Sequence, residues 1–376
     1  MSSAGSLPYH ARHEQYQQQA DALFNGLRAG DEQAQWRFKW LHPRFRGKPI
    51  DDVKGATLTI CDAQLVVALE YSFENWNALA AFVDSVALEG PVSRFESAVE
   101  RVISGDAVTL RSMLRNHPEL AQARSTRRHH ATLLHYIAAN GVEGGRQRTP
   151  PNAVEVARLL LEAGAEVDAL ADMYDHRCTT MSMLVSSCHP AQAGLQGALA
   201  ETLLDHGAAL KGPGSEWQSA LMTALAFRYL DTAKTLAGRG APADALPAVA
   251  GLGRLDDAQR LLPHASSHDK HVALALAAQH GHTGIVSLLL DAGEDPNRLN
   301  PDGFHSHSAP LHQAICAGHE EVVRLLVQRG ARLDFRDTIY RSTPLGWAIH
   351  CEKPAIADHL RSRSALTGDS RNNQDN

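Results

Sequence analysis

The chain has 376 residues, of which 44% are hydrophobic but only 6% aromatic, and its 36 Lys and Arg against 42 Asp and Glu leave a formal charge of −6. That length holds two or three globular domains or one long repeat array, and the mildly acidic balance gives no global basic field for nucleic acid or an anionic membrane. The polar opening MSSAGSLPYHARHEQ has no apolar signal core, no run reaches the roughly 18 to 20 apolar residues of a membrane span, and the five cysteines form no C-x-x-C pair. The expectation is a soluble, cytoplasmic monomer with reduced thiols and no cofactor.

Residues 1–12 are expected to be disordered. A Gln-rich helix follows from Glu14 to Leu27 and stops at Gly30. Asp31 then caps a second helix, Glu32 to Leu41, which Pro43, Gly47 and Pro49 break. Two further helices, Thr59 to Leu69 and Asn75 to Leu88, complete a small helical N-terminal domain over 13–90, closed by Gly90-Pro91. Beyond it, Phe95 to Ser104 and Ala107 to Leu114 form a helix pair around a Gly105-Asp106 turn. A second pair opens at Thr132 and is interrupted after Gly141 by the inserted VEGGRQRTPPN. A third opens at Thr180 with a shorter insertion, a fourth at Ala220, and a fifth, Ala245 to Leu262, is truncated at Pro263.

The next two units are the clearest. AAQHGHTGIVSLLLDAGEDPN (277–297) and AICAGHEEVVRLLVQRGARLD (314–334) each read as a short helix, a Gly-His turn, a second helix and a glycine stop. In the second helices Ile285, Leu288, Leu289 and Ala292, and then Val322, Leu325, Leu326 and Arg329, recur at helical spacing. So narrow an apolar stripe cannot be buried by one hairpin and has to be covered by the next, so the units stack. Gly293 and Gly330 lie just past the stripe, where a left-handed C-cap suits glycine. Asp302 to Ser308 (DGFHSHS) lengthens the finger between these units. Thr343 to Arg361 closes the array, and 364–376 is expected to be a disordered tail.

The same glycine ending recurs at Gly164, Gly207 and Gly240, the last two separated by one period of about 33 residues. The openings Thr132-Leu133-Leu134-His135, Ala309-Pro310-Leu311-His312 and Thr343-Pro344-Leu345-Gly346, with the body Gly318 to Leu326, resemble the Thr-Pro-Leu-His start and Gly-His-x-Glu-Val-Val-x-Leu-Leu core of ankyrin repeats. The segment holding Asp62-Ala63-Gln64-Leu65 and Glu70 to Trp76 is similar to a small helical segment that precedes the repeats in bacterial ankyrin proteins, with Ser72 where glycine is expected. The resemblance implies an all-α ankyrin-repeat solenoid over 91–363, of about seven or eight helix-turn-helix units with short β-hairpin or loop fingers.

Ankyrin resemblance also assigns His135 and His312 in the openings, and His282 and His319 in the turns, to backbone hydrogen bonding. It implies a non-catalytic protein-protein interaction module, an adaptor, inhibitor or regulatory subunit, that binds a partner protein and neither nucleic acid nor membrane. Exposed Tyr, Trp, Arg and His at fingertips are the expected contacts: Arg127, Arg128, Tyr174, His176, Trp217, Phe304, His305, Tyr340 and Arg341. The competing reading is a metal-dependent or enzymatic protein with its site in the N-terminal helices or the histidine fingers. His305-x-His307 carries that reading, but it matches no zinc spacing and has no cysteine partners. There is no G-x-S-x-G elbow, H-E-x-x-H helix or Walker loop. Cys178 and Cys188, near His176 and His189, lack an orienting third group for a catalytic thiol.

Overall fold

A computed structural model describes residues 7–210 and 219–372, with side chains through Ser364. The fold is all-α, built from consecutive antiparallel helix pairs, and it divides into two compact units, Met1–Trp217 and Gln218–Asn376.

In the first unit the helices His13–Arg28, Glu32–Leu41, Ile60–Glu70 and Trp76–Ala87 bury Tyr16, Phe38, Val67, Phe73 and Phe82 in a core of their own. Asp31 caps the second of these by accepting from the Ala34 amide at 2.6 Å. Ser72, in the place where the sequence resemblance expects glycine, adopts φ +61°, the left-handed turn that glycine serves more cheaply. Two differences from expectation appear here. Residues 7–12 are not loose, because the Leu7 amide donates to Tyr71 Oη at 2.9 Å and Ala11 is buried. A short helix, Ile50–Lys54, fills the segment between Pro49 and Gly55, with Asp51 and Asp52 in its first turn, where they complement the helix dipole.

Three helix pairs follow in this unit: Pro91–Ser104 with Ala107–Asn116, Leu133–Ala138 with Ala153–Glu162, and Thr180–Leu184 with Gln196–Asp205. The first member of the middle pair is a 3₁₀ helix rather than an α-helix, ended by Ala139 at φ +48°. Between the second and third pairs Ala171–Met173 and His176–Cys178 form an antiparallel hairpin. Its turn residues Tyr174 and Asp175, at φ +53° and +64°, have the two left-handed positions of a type I′ turn.

Arg127, expected at an exposed fingertip, is instead 3% exposed. Its guanidinium lies 4.7 and 4.5 Å from the ring centres of Phe73 and Phe82 and donates to the Tyr71 carbonyl at 2.7 Å. It also pairs with Glu96 and Glu143, and Arg146 joins the same two carboxylates. A buried guanidinium needs this neutralisation, and the carboxylates of Glu143 and Glu96 hold Arg127 protonated against the opposing effect of burial. Glu143 and Arg146 both belong to the insertion after Gly141, so that segment supplies half of a buried ionic cluster.

In the second unit five helix pairs run from Ala220–Ala226 with Leu230–Gly238 to Pro344–His350 with Pro354–Asn372. The apolar faces of the last four pairs, from Leu246–Leu252 onward, form one continuous core. Ala250, Ala277, Ile285, Leu289, Ile315, Val322 and Leu326 belong to a single buried cluster, as stacking requires. The fully buried stripe is Ile285, Val286 and Leu289 in one second helix and Val322, Val323 and Leu326 in the next. Leu288 and Leu325 only partly enter the core, and Arg329 is exposed. The final helix continues through Asn372, into the stretch expected to be a disordered tail.

The turns between paired helices place Arg228, Gly253, Gly281, Gly318 and Glu352 at successive left-handed positions. Glycine is required where the following unit leans on the turn. A Cβ on Gly253 would meet the His282 ring at 2.6 Å, and one on Gly281 would meet His319 at 2.6 Å. His282 Nε2 donates to the Gly251 carbonyl and His319 Nε2 to the Gln279 carbonyl, each at 3.0 Å. These histidines therefore tie neighbouring turns together, the role implied by the sequence resemblance.

Candidate functional site

The second unit holds a recess of about 960 Å³ assembled from segments far apart in the sequence. Phe227 and Arg228 come from the turn after Ala220–Ala226. His305 and His307 come from the lengthened finger, and Tyr340, Ser342 and Trp347 come from the next finger and the helix that it opens. Among the described residues no carboxylate lines this recess, whereas Arg228 and three histidines, including His350, do.

Each finger is held by hydrogen bonds that its own polar residues supply. The Asn300 amide donates to the Ser308 carbonyl at 2.8 Å, and the Ser308 amide donates to the His305 carbonyl at 3.0 Å. His305 adopts φ +62°, and its Nε2 donates to the Ala226 carbonyl at 3.0 Å. Burial lowers the His305 pKa, so the ring is neutral near pH 7. In the following finger Asp337 accepts from the amides of Ile339, Tyr340 and Ser342 at 3.0, 2.5 and 2.9 Å. It also accepts from the Trp347 indole at 3.0 Å. Burial alone would raise the Asp337 pKa, but these donors, Trp347 foremost, hold it below the ordinary carboxylate value. One ionised carboxylate thus fixes both the finger and the indole. The rings of His307 and Trp347 stack at 6.0 Å, and Tyr340 meets His307 edge-on at 6.2 Å.

Of the fingertip residues expected from sequence, His305 and Tyr340 line this recess. Tyr340 is 71% exposed, and Arg341, at φ +55°, is exposed beside it. Phe304 must be corrected: it is buried, 6% exposed, and its amide donates to the Pro301 carbonyl. A large apolar ring gains more by leaving water than by standing exposed at a fingertip. In the first unit Arg128, Tyr174 and His176 are exposed, and the Tyr174 hydroxyl donates to Asn140 Oδ1 at 2.6 Å. Trp217 lies outside the described residues.

Sequence reasoning missed Phe227, Arg228, Asp337 and Trp347. The available signal for Asp337 was local, since an aspartate just before a turn captures the amides two and three residues on. Arg228 carried no signal, because a non-glycine residue occupies the turn position that glycine marks elsewhere.

His305 and His307 present rings at 6.0 Å with planes at 87°, and among the described residues no three His, Cys, Asp or Glu side chains are grouped to hold a metal ion. Burial pushes the Cys178 thiol up, the opposite of what an activated nucleophile needs. Among the described residues no helix is long and apolar enough to cross a membrane.

A family model for ankyrin repeats (three copies) matches residues 245–337 and 274–368. The chain is 36% identical over 85 residues to an ankyrin repeat-containing protein of Schizosaccharomyces pombe, covering 23% of this chain and 37% of that protein. It is 35% identical over 88 residues to transient receptor potential cation channel subfamily A member 1 of Homo sapiens, 23% of this chain and 7% of the channel. Ankyrin repeat and SOCS box protein 3 of Bos taurus matches at 30% over 125 residues, 23% of this chain and 24% of its own length. The chain spans well under half the length of each of these relatives.

Proposed function

Because this chain is an ankyrin-repeat protein, a family whose repeats generally mediate protein-protein interaction, we propose that it is a non-catalytic binding module that takes a partner protein into the aromatic, cationic recess of its second unit. The observation that carries the reading is the lining of that recess. Phe227, Tyr340 and Trp347 offer ring surface beside Arg228, with no carboxylate among the described lining residues. Aromatic and Arg side chains dominate binding energy at protein interfaces. A lining of this kind favours an acidic segment with an aromatic or large apolar anchor, the anchor against the rings and the acid against Arg228. Arg341 extends the contact from the same finger, and Arg128, Tyr174 and His176 are further candidates on the first unit. The function is that of an adaptor, inhibitor or regulatory subunit in the cytoplasm, acting as a monomer, in a protein of bacterial type. Residues 13–90 form its helical N-terminal domain and 91–363 its repeat array.

The test is a peptide panel varied in acidity and anchor, titrated against the intact chain and against Arg228→Ala and Tyr340→Ala. Acidic, aromatic-anchored peptides should bind best and weaken as salt rises, and each substitution should lose about tenfold or more without changing the melting curve. Equal binding by neutral and acidic peptides, or by the variants and the parent, would remove the recess as the site.

A further inference from the structure

We propose that Cys316 and Cys351 form a reversible two-electron redox pair that a peroxide closes to an intramolecular disulfide between consecutive repeats. Cys316 lies near the end of Pro310–Ala317 and Cys351 follows Pro344–His350. Both are free thiols, with their sulfurs 2.6 Å apart. A covalent bond needs about 2.05 Å, so bond formation requires about half an ångström of further approach. Both residues are partly exposed and both line the open recess, which gives a small oxidant access. Of the other three cysteines, Cys178 is buried, and Cys61 and Cys188 are exposed.

The chemistry balances with hydrogen peroxide as the oxidant. One sulfur attacks a peroxide oxygen, the O–O bond breaks and the departing oxygen leaves as water, giving a sulfenic acid. The second sulfur attacks that sulfenic sulfur, the S–O bond breaks and a second water leaves with the remaining thiol proton. The two sulfurs together lose two electrons, and the peroxide takes them. Burial and the neighbouring Cys316 sulfur push the Cys351 thiol up to about 12. The two sulfurs stand at reaction distance of each other, so a sulfenic acid formed on either one meets the other as its resolving thiol.

The reduced full-length chain, folded in buffer or unfolded in urea, would be treated with a small excess of hydrogen peroxide. It would then be alkylated, digested without reductant and read by mass spectrometry. The expected product in the folded chain is one link between the Cys316 and Cys351 peptides, with a loss of 2 mass units. It should form at least about tenfold faster than in the unfolded chain, because the fold holds the sulfurs at reaction distance, and dithiothreitol should reverse it. Cys351→Ser and Cys316→Ser should each abolish the link and strand the sulfenic acid on the remaining cysteine, where dimedone labels it. The proposal is overturned if the folded chain shows Cys61 or Cys188 oxidised while 316 and 351 stay as separate thiols. It is also overturned if the link forms no faster folded than unfolded.

Discussion

At Gly281 two constraints meet on one atom that is absent. The residue has φ +79°, and a Cβ there would sit 2.6 Å from His319 Nδ1. Gly281→Ala should therefore combine left-handed strain with overpacking and cost about 2 to 4 kcal/mol, seen as a lower melting temperature. Glu352 occupies the equivalent turn at φ +55° but is exposed. Glu352→Gly should raise stability by about 0.5 to 1 kcal/mol in the same measurement, because it removes strain and takes no contact away. Arg127 tests the opposite situation, a charge whose partners are all buried. Arg127→Ala leaves Glu96 and Glu143 with Arg146 as their one remaining shared guanidinium, and a loss of about 3 to 5 kcal/mol in urea unfolding is expected. A loss under about 1 kcal/mol would show that the cluster is solvated in solution.

The second helix of a repeat is the element through which one unit holds the next. Leu289 is fully buried in the continuous core, so Leu289→Ala should cost about 2 to 5 kcal/mol. Leu325, only partly inside, should lose clearly less on the same change. Comparing the two by thermal melting separates burial from mere position on an apolar stripe. The stripe itself was legible in the sequence because Val322 to Leu326 and Ile285 to Leu289 repeat a local period, and the Gly-His turns were legible for the same reason. Which stripe residue points fully inward was not, since that depends on how the neighbouring unit is set against it. The ionic cluster was illegible for a related reason. Arg127 and Arg146 meet Glu96 across 31 and 50 residues of sequence, and each partner alone reads as a solvated charge. The recess was half legible: its finger residues His305 and Tyr340 stand out as polar or aromatic in loops. Trp347 and Arg228 do not, because one sits inside a helix and the other takes the place of a turn glycine.

Across the whole molecule, histidine sets the response to acid. Burial lowers His135 in the first unit and His280 in the second from 6.5 to about 4. His271, His282, His312 and His319 are also lowered, with burial the largest cause in each. Between about pH 6.5 and 4 the unfolded chain binds protons that the folded chain refuses, so stability falls as pH falls through that window and is flat above it. His135 and His280 each contribute a loss on the order of 3 kcal/mol by pH 4. Melting measured from pH 8 to pH 4 should hold level to about 6.5 and then drop steeply. A melting temperature that rises on acidification would mean these rings are charged in the folded chain.

The turn ladder has a consequence for how this array can be rearranged. Gly281 and His282 stand side by side in one unit, so that unit carries both the bare turn that accepts a ring from its successor and the ring that its predecessor's turn accepts. A tandem copy of it would meet itself correctly at the new junction. The unit before it offers Arg254 in the ring position, and the unit after Gly318 offers Lys353 there. Duplication or deletion is therefore compatible with the fold in the interior, between Gly253 and His319. A cut-and-paste at either margin would set a long cationic side chain against a turn shaped for imidazole, so the places where such a protein can gain or lose a repeat are written into two neighbouring residues.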